Sequence, residues 1–140
     1  MFRSVAIAVI ATISLLPPSL AQQRQILNSD RQGDYNSSSV KAANGSTNPI
    51  PYWTARIRTA KLNCRVEPGA SKLVLMQFKP GEIIPADPGT GTGEAIVRDT
   101  QGSPWLRVKM LDSQGIARSS CFVRANKQYI EPSNKQAEIK

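Results

Sequence analysis

The stretch that decides the fold is Pro104-Trp105-Leu106-Arg107-Val108-Lys109-Met110-Leu111, followed by Asp112-Ser113-Gln114-Gly115 and then Ile116-Ala117-Arg118-Ser119-Ser120-Cys121-Phe122-Val123-Arg124. Successive side chains of a β-strand point to opposite faces, so a period of two marks a strand with one buried side. Leu106, Val108 and Met110 share one face, which is expected to turn to the core, while Trp105, Arg107 and Lys109 share the other and are expected to face solvent. Beyond the turn the logic repeats. Ala117, Ser119, Cys121 and Val123 fall on one side, with Arg118, Ser120, Phe122 and Arg124 on the other.

Upstream, Ala60, Leu62, Cys64 and Val66 alternate in the same way and stop at the turn Glu67-Pro68-Gly69. Leu73 to Phe78 is nearly continuous in apolar residues and ends at Pro80 and Gly81, after which Ile83 and Ile84 resume. A loop from Asp87 to Gly93 leads to a strand at Ala95 to Val97 and to the turn Gln101-Gly102-Ser103-Pro104. The chain closes with a turn around Asn126, then Tyr129 and Ile130. No helix-length period of 3.6 residues interrupts this texture. The reading is an all-β domain of about five strands over 53–132, with a flexible C-terminal tail at 133–140. Both cysteines fall on inward faces.

The whole chain has 140 residues and 15.3 kDa, room for one modest domain. Residues 1–21 read as a secretory signal peptide: Arg3 at the charged start, an apolar stretch from Ser4 to Leu16, and Ser19 and Ala21 as the small residues before cleavage. At roughly 13 residues the apolar stretch is shorter than the ~20 that a spanning helix needs, so an uncleaved anchor is disfavoured and no transmembrane span is expected in the mature chain. Export to the periplasm or the extracellular space follows. Residues 22–52 are rich in Gln, Asn, Ser and Gly, with the runs Ser37-Ser38-Ser39 and Asn44-Gly45-Ser46-Thr47-Asn48, and read as a disordered polar tether.

Composition also excludes chemistry. Histidine is absent, which removes the Ser/His/Asp triad, the Cys/His dyad and His-ligated zinc. Two cysteines in an exported chain are most simply a disulfide, and no CxxC spacing suggests a redox or metal motif. No catalytic residue, metal or cofactor is expected. Eighteen basic against ten acidic residues give a net charge of +8, which favours anionic partners without naming one.

Four segments in order resemble the bacterial SH3 (SH3b) family. Leu62-Asn63-Cys64-Arg65-Val66-Glu67-Pro68-Gly69 resembles the L-N-V-R-x-G-P-G opening, and Phe78-Lys79-Pro80-Gly81-Glu82 the L-x-x-G-E strand and turn. Pro104 to Val108 resembles G-W-x-K-V, and Cys121 to Ile130 the closing G-W-V-x-x-x-Y-L; the likeness spans roughly residues 59 to 132. Cys64 stands where the family has Val, Cys121 where it has Gly, and Phe122 where it has Trp.

The resemblance implies a small SH3-like barrel whose first and last strands lie side by side, so that a Cys64–Cys121 bridge would join them. It also implies a peptide-binding groove floored by aromatics. By that likeness Trp105 is the exposed groove Trp, with Arg107 beside it and Phe122 and Tyr129 extending the surface.

Other features carry less. Gly89-Thr90-Gly91-Thr92-Gly93 lacks the strand-to-helix setting of a phosphate loop and reads as a hairpin loop. The basic cluster Arg56, Arg58, Lys61 and Arg65 reads as a solvated strand face, and export makes nucleic acid an unexpected partner. Glu67, Glu82, Asp87, Glu94, Asp99 and Asp112 sit in or beside turns, where carboxylates cap backbone amides. The expectation is an exported, non-enzymatic binding module for a peptide or cell-envelope (peptidoglycan) ligand. The alternative is an assembly protein docked permanently on a larger envelope partner.

Overall fold

The computed structural model describes residues 27–56, 60–91 and 93–134. The signal peptide expected at 1–21 lies outside them, as does most of the 133–140 tail. Ten strands and no helix occur among the described residues. They are β1 (Ser39–Lys41), β2 (Thr47–Pro49), β3 (Tyr52–Ala55), β4 (Leu62–Arg65), β5 (Val74–Phe78), β6 (Ile83–Pro85), β7 (Ile96–Arg98), β8 (Pro104–Leu111), β9 (Ala117–Arg124) and β10 (Ile130–Pro132).

The strands form three antiparallel sheets: a β1-β2 hairpin, a three-stranded sheet in the order β10-β3-β6, and a five-stranded sheet in the order β5-β4-β9-β8-β7. The all-β reading holds, but none of the sheets closes into the expected barrel of about five strands. The larger count comes from the five strands outside the five-stranded sheet, among them the strand at Tyr52–Ala55. It sits between β10 and β6 as the centre of a sheet of its own, with Trp53 paired to Ile84 and Pro132. A strand whose partners lie 31 and 79 positions downstream of Trp53 leaves no local signature.

One apolar cluster joins the two larger sheets, with Trp53, Ile84 and Ile130 from one and Leu62, Cys64, Leu106, Val108, Cys121 and Val123 from the other. Leu106, Val108, Cys121 and Val123 are buried as their alternation requires, and Met110 packs at the margin. Ala117 and Ser119 share the phase of Cys121 but are exposed, because the far end of the β8-β9 hairpin extends past the core. At the Glu67-Pro68-Gly69 turn, Gly69 adopts φ +142°, a conformation that L side chains rarely adopt.

Cys64 and Cys121 form a disulfide with Cα atoms 5.4 Å apart. Strand pairing delivers the two sulfurs to one place, since β4 and β9 are hydrogen-bonded neighbours through Arg65 and Phe122. Both cysteines are fully buried.

The stretch read as a tether is different in its described part, 27–52. Tyr35 is buried and meets Trp53 edge to face, with ring centroids 5.0 Å apart. Ser38 is also buried. The Glu94 carboxylate accepts hydrogen bonds from the Ser37 and Ser38 hydroxyls and from the Ser38 and Ile96 amides. Composition undercounts such a segment because it is held by one aromatic and a polar network rather than by apolar area. Asp34 adds a bridge to Asn126, and the Tyr35 amide donates to the Ala125 carbonyl. The segment therefore works as a strap across the end of β9.

Candidate functional site

The outer face of the five-stranded sheet collects the side chains out of phase with the core. Lys61, Asn63 and Arg65 recur at every second position on and just before β4, which places them on this face. Register sets Arg65, Phe122 and Arg107 in one row across β4, β9 and β8, and Arg124 beside Trp105 in the next.

A cleft of about 510 Å³ opens on this face. Lys61, Asn63 and Arg65 line one side, Asp99, Gln101 and Ser103 of the β7-β8 turn another, and Trp105, Arg124, Gln128 and Tyr129 are among the rest of the lining. Its chemistry is mixed: two aromatics, three cations, one carboxylate and several amides.

Trp105 departs from expectation. It lines the cleft, yet it is only 4% exposed. Its strand face points outward, but Val97 and Arg124 flank the ring on the neighbouring strands. The indole N–H donates to Asp99 Oδ2 at 2.9 Å, which pins the ring against the sheet. Trp105 is thus a wall of the cleft rather than a projecting groove residue.

Tyr129 is 38% exposed and lines the cleft. Arg107 and Phe122 do not line it; both are half-buried in the adjoining row. Conversely, Asn63, Asp99, Gln101, Arg124 and Gln128 line the cleft and were not expected there. Lys61 and Arg65 belonged to a basic cluster read as a solvated face. Arg58 of that cluster lies outside the described residues, and Arg56 faces Glu131 at 3.6 Å. The spacing of Lys61, Asn63 and Arg65 was the available signal; which face of which neighbouring strand they meet was not in it.

The electrostatics distinguish engaged charges from available ones. Burial pushes the Asp99 carboxyl up, but the Trp105 indole and the Ser103 and Gln101 amides outweigh it and hold the group below its ordinary value. Arg124 donates to the Pro104 carbonyl at 2.8 Å and pairs with Asp34 at 2.7 Å. Arg65 donates from Nη1 to the Lys72 carbonyl. Lys61 is exposed, with no ion pair among the described residues.

The turn carboxylates cap backbone amides, as at Asp112, which accepts from Gln114 and Ile116, and at Asp87, which accepts from Gly89 and from the Ser120 hydroxyl. Among the described residues no group of three or more His, Cys, Asp or Glu side chains is arranged to hold a metal ion. No helix of the described residues is long and apolar enough to cross a membrane.

No family model, curated protein or solved structure matches this chain.

Proposed function

We propose that this protein is an exported, non-catalytic binding module, SH3-like in its strand motifs, that takes a peptide or peptidoglycan ligand in the Trp105–Tyr129 cleft. The cleft carries the reading. It combines apolar surface, amide groups and uncommitted positive charge at the scale of a few ligand residues. The buried Cys64–Cys121 disulfide is compatible with an oxidising compartment.

The test is sedimentation of the protein with isolated peptidoglycan. Tyr129→Ala and Arg65→Gln remove cleft surface without opening the core, and each is expected to lower the bound fraction. Equal binding by both variants refutes the cleft as the site.

One observation favours the assembly reading. Strand β5 is an edge of the five-stranded sheet; Leu75 within it is 42% exposed, and Leu73 and Val66 beside it are 70% and 42% exposed. An apolar edge of this kind suits a partner protein. Leu75→Lys and Tyr129→Ala separate the two readings: loss of peptidoglycan binding in Tyr129→Ala alone favours the cleft, and peptidoglycan binding absent from the unaltered protein, with co-purification of an envelope protein lost in Leu75→Lys, favours the edge.

A further inference from the structure

The cleft holds more positive charge than its own lining neutralises, and the excess lies on one side. Asp99 is the only carboxylate among the lining residues, and three donors already occupy it. Arg124 is likewise engaged by Asp34 and by the Pro104 carbonyl. That leaves Lys61 and Arg65, four positions apart on one face of a strand, with no carboxylate partner among the described residues; Arg65 donates from Nη1 to the Lys72 carbonyl, which orients the guanidinium without neutralising its charge. Asn63 stands between them, its Oδ1 accepting from Gln77 at 2.7 Å, which orients its amide. Exposed Tyr129 belongs to the same lining.

We infer that the cleft selects its ligand through a free carboxylate, seated on Lys61 and Arg65, with the body of a peptide lying against Tyr129 and the edge of Trp105. This rests on the binding-module reading and narrows it to anionic peptides. Charge complementarity carries it. An arginine offers a planar fork that matches a carboxylate, and a lysine beside it adds a mobile second donor. A neutral peptide of the same shape would leave both cations without a counter-charge inside the cleft.

The experiment is calorimetric titration of the full mature chain with the N-acetylated peptide L-Ala-γ-D-Glu-L-Lys-D-Ala, and with the same peptide bearing both carboxylates as amides. The acid is expected to bind at least about tenfold more tightly than the diamide, and that advantage is expected to shrink as salt is raised. Lys61→Gln, which alters only an exposed side chain, is expected to weaken the acid about threefold to fivefold and to leave the diamide unchanged. Arg65→Gln is expected to weaken the acid further.

Equal affinity for acid and diamide overturns the carboxylate selection while leaving the binding module standing. Binding of neither peptide overturns both. Displacement of the acid by sodium pyrophosphate at the same concentration as by a second carboxylate peptide marks a general anion patch, and overturns the selection as well.

Discussion

Replacing both cysteines by alanine removes the one covalent link between β4 and β9, and its cost follows from where the link sits in the chain. Cys64 and Cys121 are 57 positions apart, so the bridge closes a loop of roughly 58 residues in the unfolded chain. The chain-entropy relation gives about 4 kcal/mol for a loop of that length. The native side changes little on removal, because β4 and β9 remain paired at Arg65–Phe122 and the neighbouring β8-β9 ladder runs from Trp105 to Leu111.

The double variant Cys64→Ala/Cys121→Ala is therefore expected to fold with the same near-ultraviolet aromatic signature and to unfold much earlier. With a urea dependence of about 1–2 kcal/mol per molar, the midpoint is expected to fall by about 2–4 M. Urea titration of the oxidised protein and of the variant, followed by circular dichroism, measures this directly. A midpoint shift below about 0.5 M refutes the reasoning, because it would mean that the cross-link removes little conformational freedom from the unfolded chain. Both sulfurs are shielded from solvent, so the native protein is also expected to resist mild reductant until denaturant is added.

Other perturbations test the strap and the cleft. Tyr35→Ala removes the edge-to-face contact with Trp53 and is expected to cost about 3 kcal/mol in thermal or urea unfolding; a cost below about 0.5 kcal/mol would restore the flexible-tether reading. Burial pushes the Glu94 carboxyl up, but its bonds to Ser38, Ile96 and Ser37 outweigh that and hold it below its ordinary value near 4.5. A carboxyl lowered on folding contributes stability above its unfolded value and loses it as pH falls through the folded one, so the strap is expected to loosen only in acid. Glu94→Gln is expected to remove that acid sensitivity and to expose the Ser38 and Ala95 amides to exchange at neutral pH. Leu106→Ala empties a fully buried position between Ile96 and Val123 and is expected to cost about 2–5 kcal/mol by urea unfolding. Trp105→Phe keeps the ring but gives up the bond to Asp99, and is expected to cost about 1–2 kcal/mol while raising the apparent pKa of Asp99, read by carboxyl chemical shift against pH.

The cleft shows where reading along the chain succeeds and where it stops. Phase assigned Leu106, Val108, Cys121 and Val123 to the interior correctly, because a sheet with one covered face imposes a period of two on every strand that crosses the core. The same phase put Trp105 outside, and outside is where its strand face points. Exposure is another matter, since it depends on Val97, Arg124 and Asp99, which come from a strand, a neighbouring strand and a turn. Tyr129 lines the cleft, and the family resemblance draws attention to it, whereas Asp99 reads along the chain as one more turn carboxylate. Its role in pinning the indole depends on a bond six residues along that only the folded hairpin creates.

The sequence by itself determined the all-β class, the inward phase of the long hairpin and the placement of both cysteines on inward faces. These are short-range properties: alternation, turn chemistry and residue type act within a few positions. The side-by-side placement of β4 and β9 followed from the family resemblance, whereas only the tertiary structure placed Tyr52–Ala55 at the centre of a second sheet with β6 and β10 and closed Tyr35 and Ser38 over the end of the fold. The physical reason is range. Pairing between strands tens of residues apart is chosen by the area and hydrogen bonds the whole chain can satisfy together, and no local stretch encodes that sum.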